Sequence, residues 1–228
     1  MKAAFFDFTG TLLEERSIAL YLHFLAENGF LSQTALKRLH SIHDRHKTHA
    51  LSDFQTSQAI IHTVAKGLKG VLVLEFSAAH RRFLKTPLPA YAYTAALLAA
   101  LKKNGFQTVV VSGAFAQAVV PAAKQLGIRH AFGSVLETAN GRFTGKLKTD
   151  LTVPENKSET VRRFARRHNI RLSESLAFGD TELDAAMLAA VGHPFALNAS
   201  PGLTRICRQN GWKNLTHQQA LKMANCIK

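Results

Sequence analysis

The sequence predicts an α/β protein with a doubly wound, parallel-sheet, Rossmann-like core and a small all-helical cap domain inserted after the first strand. Strand-like and helix-like segments alternate along most of the chain, which favours a parallel sheet with helices on both faces. Residues 17–87 break this alternation and have the apolar spacing of helices only. A chain of 228 residues is long enough for a core and one small accessory domain.

Short apolar runs bounded by turn residues predict the strands of the core. They are expected near residues 3–8, 107–112, 174–178 and 193–197. The stretches 132–137 and 142–147 flank Asn140-Gly141, a dipeptide typical of a two-residue β-hairpin turn. We therefore expect one hairpin that departs from the strand–helix alternation.

Apolar spacing and capping signals predict the helices. Those of the core are expected near residues 91–104, 115–126, 157–168, 181–190 and 216–226. Thr216 and Gln219 have the spacing of a capping box at the start of the last helix.

The all-helical stretch has a capping box of its own at Ser52 and Gln55. We predict that residues 17–87 form the cap domain and that residues 1–16 and 88–228 form the core. A cap of this kind would close over a site at the end of the first strand and exclude water from it.

Composition narrows the class of protein. The chain is 46% hydrophobic and 19% charged, as in an ordinary globular protein, and its longest apolar runs are too short to span a bilayer. No targeting segment is evident at the N-terminus, so a cytoplasmic protein is expected, with Cys207 and Cys226 as reduced thiols. The net charge of +14 favours anionic ligands.

Two clusters of basic side chains have alternative interpretations. Four arginines share one face of the helix over 157–168, with a fifth just beyond it; they are Arg162, Arg163, Arg166, Arg167 and Arg171. A solvated face is favoured over a polyanion site, and the lack of alternating aromatic residues weakens a nucleic-acid interpretation. Four histidines recur every third residue at positions 40, 43, 46 and 49, where an exposed face is favoured over a second metal site.

The segment 7–11, Asp-Phe-Thr-Gly-Thr, carries the strongest chemical signal. It follows an apolar strand, so Asp7 is held at the strand end, where a carboxylate can act as a nucleophile, and the backbone N–H groups of the turn can hold a phosphate. Asp180 and Asp184 are spaced i, i+4, and we expect them on one face at the start of a helix. With Asp7 they would form an oxygen site suited to Mg²⁺.

Four motifs in order resemble the haloacid dehalogenase (HAD) superfamily of phosphohydrolases. They are the segment 7–11, Val-Val-Val-Ser-Gly-Ala at 109–114, Lys157 at the start of a helix, and Gly-Asp-Thr-Glu-Leu-Asp at 179–184. The resemblance covers nearly the whole chain and is greatest to the phosphoserine-phosphatase-like branch, subfamily IB.

The resemblance implies a set of roles. Asp7 would form an aspartyl-phosphate, and Ser112 and Lys157 would hold the phosphoryl group. Lys146 and Lys148 are the alternatives if the alignment shifts. The Mg²⁺ ligands would be Asp7, the backbone carbonyl of Thr9, Asp180 and Asp184. The residues expected to contact the small phosphorylated substrate are Thr11, Gly113 and Arg16.

Thr9 departs from the family pattern, which has a second Asp there to protonate the leaving group and activate water. Loss of such a group typically costs about 10²–10⁴ in rate. Three interpretations remain open: a substrate with a good leaving group, another proton donor, or a slow protein that mainly binds a phosphorylated ligand. A phosphatase is preferred, a binding or regulatory protein is the main alternative, and a nucleic-acid-linked phosphatase is a weaker one.

Phosphoserine itself is disfavoured as substrate. In an ungapped alignment, Arg16 and Leu183 stand where phosphoserine phosphatases have a Glu and an Asn that contact the substrate. A cation in place of an anion predicts a negatively charged substrate body.

Overall fold

The computed structural model describes residues 1–226 and contains one sheet of seven described strands. The strands are β1 Lys2–Phe6, β2 Phe106–Phe115, β3 His130–Ala139, β4 Arg142–Thr149, β5 Leu176–Gly179, β6 His193–Leu197 and β7 Lys213–Leu215. Their order in the sheet is β4-β3-β2-β1-β5-β6-β7. Every neighbouring pair is parallel except β3 and β4, which are antiparallel. The predicted α/β fold class is confirmed.

Helices cover both faces of this sheet and fill the stretch between β1 and β2. They are α1 Arg16–Glu27, α2 Gln33–Lys47, α3 Asp53–Gly67, α4 Val73–Phe83, α5 Thr94–Lys103, α6 Ala116–Gln125, α7 Pro154–His168, α8 Ala185–Leu188, α9 Pro201–Asn210 and α10 His217–Cys226. The capping boxes at Ser52 and Thr216 form as the sequence predicts. The hairpin turn also forms, with positive φ at Asn140 and Gly141.

One expectation about an element is wrong, and two elements, α9 and β7, were not predicted. The helix expected over 181–190 is a single 3₁₀ turn, Glu182–Asp184, followed by the four-residue α8. The turn tightens because the Asp184 carboxylate accepts the backbone N–H groups of Asp180 and Thr181. Strand β7 was not predicted, because three residues with two polar side chains give no apolar pattern; pairing with β6 makes it a strand.

Alternate residues of the central strand pack into different hydrophobic clusters. Ala4 and Phe6 face the cluster beneath α5, α6 and α10, whereas Ala3 and Phe5 face the cluster beneath α7 and α9. Helices therefore cover both faces of β1, which leaves the end of this strand for a site.

A third cluster joins the first four helices to the hairpin. Its helical members pack against Phe115, Leu136 and Phe143 of β2, β3 and β4. Backbone bonds add to this contact: the Gly70 N–H donates to Phe143 O (2.8 Å) and the Phe143 N–H to Val71 O (3.0 Å). The helices are thereby anchored to one edge of the sheet. The division into a core and a cap domain at residues 17–87 stays a prediction.

No helix within residues 1–226 combines the length and the apolar character needed to cross a membrane. Cys207 is buried and Cys226 exposed, and neither forms a disulfide with a described residue. The α7 arginines are exposed, in agreement with a solvated face.

Candidate active site

The carboxyl ends of three neighbouring strands meet at one edge of the sheet. Asp7 directly follows β1, Ser112 lies near the end of β2, and Asp180 directly follows β5. The backbone N–H of Asp7 continues the sheet by donating to Phe178 O (2.9 Å). Because β1 has parallel neighbours on both sides, residues far apart in sequence converge here, at the usual ligand site of doubly wound sheets.

Three carboxylates form the centre of the site. Asp7, Asp180 and Asp184 each offer an oxygen within 4.8 Å of the other two, and all three are buried. Two glycines leave the room they need: a Cβ at Gly10 would collide with the Asp180 carboxylate, and one at Gly179 with that of Asp184. Gly10 also has φ +87°, which L side chains rarely adopt.

Lys157 lies between two of these carboxylates. It belongs to the first turn of α7, and its Nζ is 2.7 Å from Asp7 Oδ1 and 2.6 Å from Asp184 Oδ1. The ammonium group is buried with them. The alternatives Lys146 and Lys148 are exposed on β4.

The electrostatics of the cluster favour a further positive charge. Burial raises the pKa of Asp7 to about 6, with Lys157 acting against the shift and Asp184 adding to it. Burial raises the pKa of Asp180 well above its ordinary value, and the charges of Asp184 and Asp7 add to the rise. Burial alone would lower the pKa of Lys157, but Asp184 and Asp7 together raise it. One buried cation for three carboxylates leaves an excess of negative charge, which fits a divalent ion with oxygen ligands such as Mg²⁺.

Asp180 and Asp184 do not share a helix face, contrary to the sequence prediction. Asp180 lies in the loop after β5, and Asp184 ends the 3₁₀ turn that follows. One oxygen of Asp184 accepts backbone N–H groups while the other accepts from Lys157. The i, i+4 spacing brings the carboxylates together through a tight turn rather than through a helix.

Thr11 lies behind the cluster rather than facing open space. Its side chain is fully buried, and its hydroxyl donates to Asp180 Oδ1 (2.7 Å). The Tyr93 hydroxyl in turn donates to the backbone carbonyl of Thr11. In this structure Thr11 orients Asp180, whereas the sequence suggested a contact with substrate.

Ser112 and Gly113 lie on β2, the strand that pairs with β1 just before Asp7. The Ser112 oxygen accepts the Ala114 N–H (3.3 Å), which leaves its own proton available to donate. The Gly113 carbonyl accepts from the Ser134 hydroxyl (2.7 Å), and a Cβ at position 113 would press on Thr152. A small residue is required where Thr152 packs so closely.

Thr9 and Arg16 lie toward the helical side. The Thr9 hydroxyl is 3.3 Å from that of Ser17, and the side chain is half-buried. Arg16 forms an ion pair with Glu14 (Nε–Oε2 2.5 Å), and its side chain is 65% exposed. The structure therefore does not bring Arg16 into the carboxylate cluster.

Contacts from α3 also reach the site, and the sequence analysis missed them. The Gln58 amide of α3 donates to Thr152 Oγ1 (2.5 Å) and Asp150 Oδ2 (3.2 Å). The N–H of Phe54 donates to Glu182 Oε1 (3.4 Å), two residues beyond Asp180. No sequence signal could pair these residues, because about 90 to 130 positions separate the partners.

Comparison with protein families identifies one match over most of the chain. The family model described as haloacid dehalogenase-like hydrolase matches residues 4–189. Among curated proteins, a phosphoserine phosphatase of Streptomyces coelicolor is 38% identical over 105 residues, covering 46% of this chain and 26% of that protein. A protein of Mycobacterium tuberculosis named as a probable phosphatase is 32% identical over 142 residues, covering 62% of this chain and 49% of that protein. The chain thus spans at most about half the length of these relatives.

Solved structures share the whole fold. A protein of unknown function from Bordetella pertussis superimposes with a TM-score of 0.77 at 24% identity, over 95% of this chain and 98% of that one. A phosphoserine phosphatase holding an analogue of its phospho-aspartyl intermediate superimposes with a TM-score of 0.69 at 23% identity, over 97% and 98%. The expected resemblance to the superfamily and its phosphoserine-phosphatase-like branch is confirmed.

Proposed function

Because the chain belongs to the haloacid dehalogenase-like hydrolase family, we propose that it is a Mg²⁺-dependent phosphatase that acts on a small phosphorylated compound through an aspartyl-phosphate. The observation that supports this most directly is the buried triad of Asp7, Asp180 and Asp184 around one edge of the sheet, with Lys157 paired to two of its members. A cluster with this charge is costly to bury and has no structural need to exist.

Asp7 is the nucleophile in this proposal. Its carboxylate oxygen attacks phosphorus, the bond from phosphorus to the leaving oxygen breaks, and the phosphoryl group stays on Asp7. Lys157, 2.7 Å from Asp7, keeps the carboxylate ionised and offsets the charge of the incoming phosphoryl group. The Ser112 hydroxyl donates a hydrogen bond to a phosphoryl oxygen.

Mg²⁺ would be held by Asp7, Asp180, Asp184 and the backbone carbonyl of Thr9, where it would screen the repulsion between the anionic nucleophile and the phosphate. Thr11 fixes one of these ligands through its 2.7 Å bond to Asp180.

Thr9 makes turnover depend on the leaving group. A hydroxyl near neutral pH neither protonates an alkoxide nor activates water efficiently, so esters of acidic alcohols and acyl phosphates should react fastest. The neighbouring Ser17 hydroxyl has the same limitation.

The direct test compares wild type with Asp7→Asn on p-nitrophenyl phosphate and acetyl phosphate. Wild type should turn both over with Mg²⁺ and stop in EDTA, and Asp7→Asn should lose about 10⁴-fold or more in rate. Intact mass spectrometry of acid-quenched wild type should show one added phosphoryl group, absent from the variant. Equal rates for the two proteins would overturn the assignment of Asp7.

Thr9 also supports a second candidate, a protein that binds a phosphorylated ligand with little turnover. In that case Mg²⁺-dependent binding of inorganic phosphate would be measurable by calorimetry while no phosphate ester is consumed.

A further inference from the structure

A cavity of about 520 Å³ opens beside Thr9, between α1, α4 and α6. Its lining includes Phe8 and Thr9, the two residues that follow Asp7, and Ala114, two residues after Ser112. The cavity is therefore linked to the proposed nucleophile through Thr9, which stands where the family pattern has the acid that serves the leaving group.

The walls of this cavity are mainly apolar. Leu20, Tyr21 and Phe24 come from α1, Phe83 from α4, and Val119 from α6. The ionisable lining residues are His23, Glu27 and Arg82, all of them exposed. His23 pairs with Glu27 at 3.0 Å, and Arg82 donates to Asn28 at 3.5 Å, so these charges lie at the solvent rim with partners of their own.

Tyr21 supplies a second, independent observation. Its hydroxyl is shielded from solvent and has no hydrogen-bond partner within residues 1–226. Burial raises the pKa of this hydroxyl, so it stays a donor at all ordinary pH values. Because this hydroxyl is shielded from solvent, the cavity meets the ring of Tyr21 rather than its oxygen, so the residue adds apolar surface to the wall.

We propose that this cavity holds the leaving group of the substrate, and that the substrate is a phosphate ester or acyl phosphate of a predominantly hydrophobic, single-chain or ring-containing compound. The inference rests on the phosphatase function proposed above and names its substrate class. At about 30 Å³ for each water-sized group, a volume of 520 Å³ is enough for roughly 17 non-hydrogen atoms. This size matches a leaving group with one chain or one ring system.

A hydrophobic substrate differs from the negatively charged one that the sequence analysis predicted from Arg16. Arg16 is not part of the cavity wall; it is exposed and paired with Glu14. A zwitterion such as the serine of phosphoserine would leave water for mainly apolar walls, whose ionisable residues lie at the rim and already have partners, at a large cost in free energy. The cavity thus selects for hydrophobic leaving groups and against amino acids.

Binding can be measured apart from turnover with n-alkylphosphonates of one to eight carbons, because attack by Asp7 cannot release an alkyl group from phosphorus. In calorimetry with Mg²⁺, affinity for wild type should rise about fourfold for each methylene that is buried. Leu20→Glu places a charge in the wall at a 44% exposed position and should remove most of the rise in affinity with chain length. The matched control is Leu74→Glu, at an 82% exposed α4 residue outside the wall, which should show the same rise as wild type.

The outcomes separate this inference from the proposed function. If affinity does not change with chain length, the substrate class is wrong, whereas turnover of p-nitrophenyl phosphate would still support the phosphatase. Chain-length-dependent binding without turnover of any ester would support the cavity assignment and overturn the phosphatase.

A membrane lipid could offer the same combination of a phosphate and a hydrophobic body. Phosphatidylcholine vesicles containing dioleoyl phosphatidate test whether the protein binds such a lipid. Vesicle binding lost in Leu20→Glu and kept in Leu74→Glu would overturn the single-chain limit. Equal behaviour of the three proteins toward vesicles supports a ligand taken from solution.

Discussion

The carboxyl edge of the sheet and the helical stretch between β1 and β2 both bury polar side chains, but they do so in opposite ways. At the sheet edge, Lys157 bonds to Asp7 and Asp184, and Thr11 bonds to Asp180. In the helices, the His80 ring nitrogens and the Tyr21 hydroxyl are buried with no hydrogen-bond partner in the described chain. The first region holds charge ready for a charged reactant, and the second keeps its polar groups neutral inside an aromatic cluster.

This difference indicates what each region recognises. A buried, mutually bonded set of charges is suited to a phosphoryl group and a divalent ion. In the helical region, the rings of Tyr21 and Phe24 line the cavity beside Thr9, and the buried ring of His80 packs against both at 5.4 and 5.6 Å, centroid to centroid. An aromatic wall of this kind is suited to apolar groups. The division fits the proposed substrate, which has one charged end and one hydrophobic end.

The largest effect should come from removing the cation at the sheet edge. Lys157→Met keeps the volume of the stem but leaves buried carboxylates unpaired, so the free energy of unfolding should fall by about 3–5 kcal/mol without metal. Urea denaturation in EDTA measures this change. Lys148→Met, at an exposed lysine of β4, should change stability by less than about 0.5 kcal/mol.

If the two lysine variants were equally stable, the ion pairs of Lys157 would contribute nothing to the fold. A second measurement with Mg²⁺ sharpens the test. The ion should restore part of the stability of Lys157→Met by binding the carboxylates that Lys157 no longer neutralises.

The next largest effect is the change in the free energy of unfolding when His80 of the helical region is protonated. Burial lowers the pKa of His80 from 6.5 to about 4, so between these two pH values the unfolded chain binds a proton that the folded chain does not. The contribution of His80 to stability therefore falls as pH drops through this window, by up to about 3 kcal/mol.

His80→Phe removes the ionisable ring and should lose less stability than wild type between pH 6.5 and 4. The comparison is made by denaturation at several pH values, and the carboxylates at the sheet edge titrate equally in both proteins. Parallel stability profiles would show that His80 accepts its proton in the folded state without penalty.

The smallest expected effect is at Thr9, which follows Asp7 by two residues and lines the apolar cavity. Thr9→Asp supplies the missing acid and should raise the rate on alkyl phosphates by about 10²-fold, with little gain on acetyl phosphate. Steady-state kinetics on both substrates measure the selective gain. An equal gain on both would mean that the leaving group does not limit turnover, and no gain on either would favour the binding protein.

The fold and most of the site follow from local patterns in the sequence. Apolar strands followed by Asp7, Ser112 and Asp180 predicted that these side chains meet, since parallel strands end at a common edge. The Asn140-Gly141 turn and the capping box at Ser52 depend on adjacent residues only, and both form. The 181–190 segment failed because the side chain of Asp184 bonds to its own loop, a local alternative that apolar spacing does not reveal.

The amino-acid sequence alone determined which groups could do chemistry, because a strand end, a glycine turn and a carboxylate are each read within a few residues. Only the tertiary structure decided which lysine reaches the carboxylates, that Thr11 bonds to Asp180, and that Arg16 lies outside the cluster. It also decided where the apolar cavity lies, since α1, α4 and α6 are brought together by packing. Such contacts depend on the directions of side chains from distant elements, and no local pattern encodes those directions.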